Sequence, residues 1–261
     1  MKNIFLRIAL YLPLIVTILI SGCAGQQHSI KSSVVDYLYP NQATTVIEPS
    51  IPVLKPPVKV GIAFVPDRSS RSSGANLWTG NSVLEGTLTE AKKTQLLEKI
   101  AAHFKKYTFV GEIQVIPSVY LTAGGSFTNL EQIKTMYGID IITLVSEDQV
   151  QFTDEGLLSV SYWTLVGAYM VSGEKNDTNT LLDAVVYDIE SKKMLFRAPG
   201  TSTVKGKATP INLGEELRAD SMKGFDQAAD SMIGNLDVQL ASFREKIKQN
   251  PEQIKIKLSS Q

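Results

Sequence analysis

The chain has 261 residues, 43% of them hydrophobic, with 26 basic and 26 acidic side chains and a single cysteine. Balanced charge gives no basic face for nucleic acid, and one cysteine excludes both a disulfide framework and a cysteine-based metal site. The fold must therefore rest on a hydrophobic core of ordinary content.

Lys2 and Arg7 precede a 13-residue uncharged run, Ile8 to Ile20, and the small residues Ser21 and Gly22 follow it. A charged end, a short apolar core and a small-residue cut site make a secretory signal over residues 1–22. The run is shorter than the ~20 residues a spanning helix needs, and Pro13 within it opposes a stable helix. Ile20-Ser21-Gly22-Cys23 resembles the bacterial lipobox. That resemblance implies that Cys23 becomes the first mature residue and carries diacylglycerol plus an amide-linked acyl chain. Two or more chains hold a protein stably, at ~0.8 kcal/mol per buried CH2. Ala24 follows the cysteine in place of Asp, which by the sorting rule of Gram-negative lipoproteins implies the outer membrane, on its periplasmic face. The 239 residues after the signal carry 24 basic and 26 acidic groups, a net charge of about −2, and suffice for one sizeable domain or two small ones.

Residues 23–57 read as a lipidated tether and a Pro-rich stalk. Ala24 to Lys31 is small and polar. Ser33 to Pro40 is more apolar and suits a short segment docked on the domain or on a partner. Pro49, Pro52, Pro56 and Pro57 favour extended chain over helix, as a semi-rigid stalk or as chain draped over the domain surface. A single α/β domain is expected over residues 58–250. Val58 to Val65 is a buried strand ended by Pro66, and Asp67 to Gly86 a long polar loop. Thr87 to Tyr107 is a helix opened by a Thr87/Glu90 capping box, with Leu97, Ile100, Ala101 and Phe104 on one face.

Phe109 to Ile116 is a second strand. Thr128 to Tyr137 is a helix with a Thr128/Glu131 capping box and Gly138 as its C-terminal cap. Ile139 to Phe152 is a third strand, apolar at first and then alternating. Gly156 to Gly173 is uncharged for 18 residues, the lower edge for a transmembrane helix. Its alternating Ser, Thr, Gly and aromatic residues favour a long strand over Leu157 to Val171. Ser172 to Asn179 reads as a polar turn. Strands Thr180 to Ile189 and Met194 to Val204 complete an antiparallel meander.

Asn212, with Glu215, opens the last helix. Phe225, Ala229, Met232, Leu236, Leu240, Phe243 and Ile247 form its apolar stripe, and Asn250-Pro251 ends it. Leu213 to Lys248 would run ~54 Å, so the helix either breaks near Gly214, Gly224 or Gly234 or projects onto a partner. Residues 251–261 are a short polar tail. The predicted fold is α/β with a mixed β-sheet: β-α-β-α-β, then the meander, with helices on the faces and a long C-terminal helix. The helix-linked strands should pair in parallel.

Chemistry is sparse. His28 and His103 have no metal-ligand neighbours at useful spacing, and there is no G-x-S-x-G, Walker or H-E-x-x-H pattern. No enzyme activity, metal or cofactor is expected. Arg68 and Arg71, in the Ser-rich loop Asp67 to Gly74, are candidates for holding an anion; a solvated loop is the plainer reading. Glu174 to Asn179 is oxygen-rich but lacks calcium-loop spacing, and an Asn/Asp-rich hairpin turn explains it. Tyr162, Trp163 and Tyr169 suit either a partner patch or one face of the core. The leading reading is a non-enzymatic, lipid-anchored module that binds a protein partner. A ligand-binding lipoprotein using Arg68 and Arg71 and a homo-oligomer built through the last helix or the Leu157–Val171 strand stay open.

Six segments carry a family resemblance: Ser33–Pro40, Val60–Pro66, Gln151–Gly156, Gly173–Thr178, Asp183–Ile189 and Phe196–Gly200. Together they resemble the rhombotarget lipoproteins of Gram-negative bacteria, from the lipobox to the last helix. The family name implies a link with rhomboid-type intramembrane proteases. The motifs are not catalytic and point to no reaction. The order of elements is also similar to the periplasmic domains of the curli-secretion lipoprotein and of lipoprotein activators of penicillin-binding proteins, which act by binding and assembly; function does not follow from such a likeness.

Overall fold

The computed structural model describes residues 27–40, 50–66, 88–152, 177–206 and 213–257. In chain order the elements are β1 (Gln27–Lys31), α1 (Val34–Leu38), β2 (Val53–Leu54), β3 (Val58–Phe64), α2 (Glu90–Phe104), β4 (Val110–Val115), α3 (Ser126–Tyr137), β5 (Ile141–Phe152), β6 (Asp177–Asp188), β7 (Lys193–Lys205), α4 (Leu213–Gln249) and β8 (Lys255–Ile256).

Six strands make one mixed sheet in the order β4-β3-β5-β6-β7, with β1 also paired to β5. β3 lies parallel to β4 and to β5, as helix-linked strands require. β5, β6 and β7 run antiparallel. The fold is thus the mixed α/β sheet with a long C-terminal helix that the periodicity predicts.

Side chains alternate across the sheet, so each strand serves two cores. Ala63, Ile142, Leu144 and Val185 face α1 and α3 and pack with Phe127, Leu130 and Ile133. Ile62, Phe64, Val145, Leu182 and Ala198 face the other way, against α2 and α4. The result is three layers, with α1 and α3 on one side and α2 and α4 on the other.

Residues 27–31 are no free tether, whereas residues 33–40 and 50–57 follow the docked and draped alternatives rather than a projecting stalk. β1 pairs antiparallel with the end of β5, Gln27 opposite Phe152 and Lys31 opposite Asp148. In α1, Val34, Tyr37 and Leu38 are buried, and the Tyr37 hydroxyl donates to Asn129 Oδ1 at 2.8 Å. A polar segment such as Gln27–Lys31 carries no core signal, yet its backbone satisfies the open edge of β5. Ser33 caps α1 by accepting from the Asp36 N–H. Residues 251–257 of the expected short polar tail are docked as well. β8 pairs parallel with β2, and Ile254 packs against the cluster around Phe243.

The helix ends differ in detail. α2 is capped by Thr89, whose side chain accepts from the Lys92 N–H. α3 starts at Ser126, earlier than its expected capping box, so Thr128 lies inside the helix. Gly138 closes α3 in the left-handed region, φ 63°, where glycine has no Cβ to clash. Asp177 to Asn179 belong to β6, paired with β5 and β7, and not to a turn. α4 runs unbroken for 37 residues. Gly224 is used for close approach: a Cβ there would lie 2.5 Å from Thr180 Oγ1.

Candidate functional site: an apolar chamber beneath the paired helices

The sheet face under α2 and α4 changes character along its length. At one end, the inward residues of β5 are Glu147, Gln149 and Gln151, all buried. Gln149 Nε2 donates to Thr180 Oγ1 at 2.7 Å and to the Ser221 carbonyl at 3.1 Å, while Ser221 Oγ donates back to Gln149 Oε1 at 2.6 Å. Gln151 Nε2 donates to Thr178 Oγ1 and to the Leu217 carbonyl. Glu147 meets Lys93 of α2 at 3.1 Å. Buried polar groups that satisfy one another in this way specify how α4 seats on the sheet.

At the other end the same face is apolar, and α2 and α4 leave a chamber of about 250 Å3 above it. Val60, Ile62, Ile113, Ile141, Val186 and Phe196 contribute the sheet wall. Ile100 and Phe104 of α2 and Leu236, Leu240 and Phe243 of α4 form the roof, and Leu54, Pro56 and Ile256 close the lower side. Thr143 and Arg244 are the polar side chains among the lining residues. For scale, an engineered apolar cavity of ~150 Å3 stays dry and takes up benzene. A second recess of about 160 Å3 adjoins it, sharing Leu195, Phe243 and Ile247 as a common wall. This one is polar and basic, with Lys193, Lys246, Asn250 and Gln253 on its rim.

Lys92, Lys99 and His103 on α2 and carboxylates on α4 clasp the roof. Lys92 Nζ lies 2.9 Å from Asp226, Lys99 Nζ 2.6 Å from Asp230, and His103 Nε2 2.8 Å from Asp237. The Tyr107 hydroxyl also donates to Asp237, at 2.8 Å, and Lys106 Nζ stands 3.4 Å away. Single exposed pairs contribute little, but a row along two helices fixes their spacing. Partial burial pushes the Asp237 carboxyl up; hydrogen bonds from Tyr107 and His103 and the nearby positive charge outweigh it and hold the group below the usual carboxylate range.

No family model and no curated protein matches the chain. Among solved structures, the chain is similar to a dodecamer of PelC from Paraburkholderia phytofirmans, with a TM-score of 0.33 and 10% sequence identity over 80% of this chain and 98% of that one. A likeness at that level carries no argument about fold, assembly or function.

Cys23, Arg68 and Arg71 lie outside the described residues, as do Tyr162, Trp163, Tyr169 and the expected Leu157–Val171 strand. His103, the sole candidate for a core catalytic histidine, is a link in the clasp: its described polar partners are Asp237 and Lys106. Among the described residues no group of three or more His, Cys, Asp or Glu side chains is placed to hold a metal ion. No described helix is long and apolar enough to cross a membrane. The chamber itself escapes sequence reasoning. Phe104, Leu240 and Phe243 read as ordinary core positions, and only the assembled helices and sheet leave space between them.

Proposed function

We propose that this chain is a non-enzymatic binding module of the Gram-negative envelope, tethered through lipid on Cys23, that holds an apolar group in the chamber between α2 and α4. The observation that carries the binding reading is the chamber: preformed, apolar on nearly every side, and larger than a cavity that takes up benzene. The lipobox supports the tether. The buried polar groups of β5 and the charged clasp hold α2 and α4 in place around the chamber.

An environment-sensitive dye tests the binding reading. 1-Anilinonaphthalene-8-sulfonate should brighten and shift to the blue with the native chain. Ala101→Phe, which grows a ring from the chamber wall, should remove most of that signal while leaving the circular dichroism spectrum unchanged. A dye response that ignores Ala101→Phe would overturn the chamber as the site.

A further inference from the structure

We propose that the chamber and the basic recess beside it together form a fatty-acid site, with the hydrocarbon tail in the chamber and the carboxylate at Lys193 and Lys246. This rests on the binding reading above and names its ligand class. Three observations carry it. The lining of the chamber offers a ligand almost no hydrogen bonds, so its occupant is hydrocarbon. Its size sets the occupant: a cavity of ~150 Å3 takes a six-carbon ring, so about 250 Å3 takes a chain of about ten carbons, one tail and not the two of a phospholipid.

The third observation is charge. The recess across Phe243 and Ile247 carries Lys193 and Lys246, and among the described residues no acidic side chain lines either space. Neither ammonium group has an ion-pair partner among the described residues. Arg244, exposed at the chamber rim with its guanidinium 5.7 Å over the Phe109 ring, adds a third cation. An apolar chamber adjoining a recess that carries two lysines is complementary to a single-chain amphiphile with a negative head. An uncharged alkane leaves the lysines unused, and an apolar helix from a partner is too wide, at ~10 Å across, for the space between two packed helices and a sheet.

The test uses the full chain in lipid nanodiscs. Decanoic acid bearing a diazirine near its tail end is added, irradiated, and its adducts are mapped by mass spectrometry of peptides. The adducts should fall on the α4 segment Leu236–Ile247 and the β5 segment Ile141–Val145. Unlabelled decanoate should displace the probe at about tenfold lower concentration than decanol, and the charge reversal Lys193→Glu with Lys246→Glu should weaken labelling by about tenfold, the size expected for two partly exposed ion pairs. Both lysines are on the surface, so that variant folds. Ala101→Phe should abolish chamber adducts. Adducts confined to other segments, or unaffected by Ala101→Phe, would overturn this site and the binding reading together. Equal displacement by decanol and decanoate, or unchanged labelling in the charge-reversal variant, would overturn the fatty-acid assignment and leave the apolar-ligand reading standing.

Discussion

Gly200 lies where β7 passes directly under α4. A methyl group there would overlap the Ala228 carbonyl oxygen and the Met232 nitrogen, both backbone atoms of a helix that cannot yield locally. Gly200→Ala should therefore cost about 2–3 kcal/mol in urea unfolding. Gly61 makes a useful contrast: its methyl would meet the Cδ1 ends of three isoleucines, Ile139, Ile116 and Ile142, at 2.5, 2.7 and 2.9 Å, and flexible ends give way more cheaply. Lys93 and Glu147 pose a different problem. Both side chains are almost fully buried, 3.1 Å apart, with Lys93 Nζ 5.7 Å over the Phe64 ring. Lys93→Met strands a buried carboxylate and should cost about 3–5 kcal/mol, whereas adding Glu147→Leu should recover most of that loss. A double variant no more stable than Lys93→Met would mean the pair is not coupled as drawn.

Between elements, α2 and α4 meet through one row of opposite charges, and Asp237 collects most of its bonds. Its carboxyl is held below the ordinary carboxylate range. Because the folded value lies below the unfolded one, near 4, the stabilisation is complete above that pH and is lost as pH falls through the folded value. Asp237→Asn should lower stability by about 1 kcal/mol near pH 6. The gap to the native chain should close in strong acid; a gap unchanged between pH 6 and pH 2 would exclude Asp237 as its source. α4 itself was open to two readings from its length. It neither breaks at its glycines nor projects from them: Phe225, Ala229, Met232 and Leu236 stay buried along the sheet, and Gly224 lets the helix sit close above Thr180.

For the whole molecule, the two ends of β5 have different tasks. β1 begins at Gln27 against the last residue of β5, four residues after Cys23. Four residues span at most ~14 Å. The chamber touches Ile141 and Thr143 at the opposite end, about 30 Å away along the strand. With Cys23 lipidated, the domain has no long stalk. Lipid on Cys23 would hold the β1 side of the domain near the bilayer. Cys23→Ser should move the protein from the membrane to the soluble periplasmic fraction. Unchanged membrane retention would remove the anchor from the proposed function and leave the chamber untouched.

Strand and helix periods along the chain were enough to determine the mixed sheet, the parallel β3 and β5 and the long last helix, but the expected meander set Leu157–Val171 between β5 and β6, which pair directly. Those features arise from local patterns of apolar residues that each segment carries by itself, as in the stripe from Phe225 to Ile247. Tertiary structure alone decided the rest. Glu147, Gln149 and Gln151 alternate as a solvent-facing strand would, and they turn inward because Ser221, Leu217 and Lys93 meet their polar atoms from other elements. β1 is polar and joins the sheet through its backbone, which no side-chain pattern announces. The chamber exists because the side chains of α2, α4 and the sheet leave space between them unfilled. Empty space is a property of how elements sit together, and no residue encodes it singly.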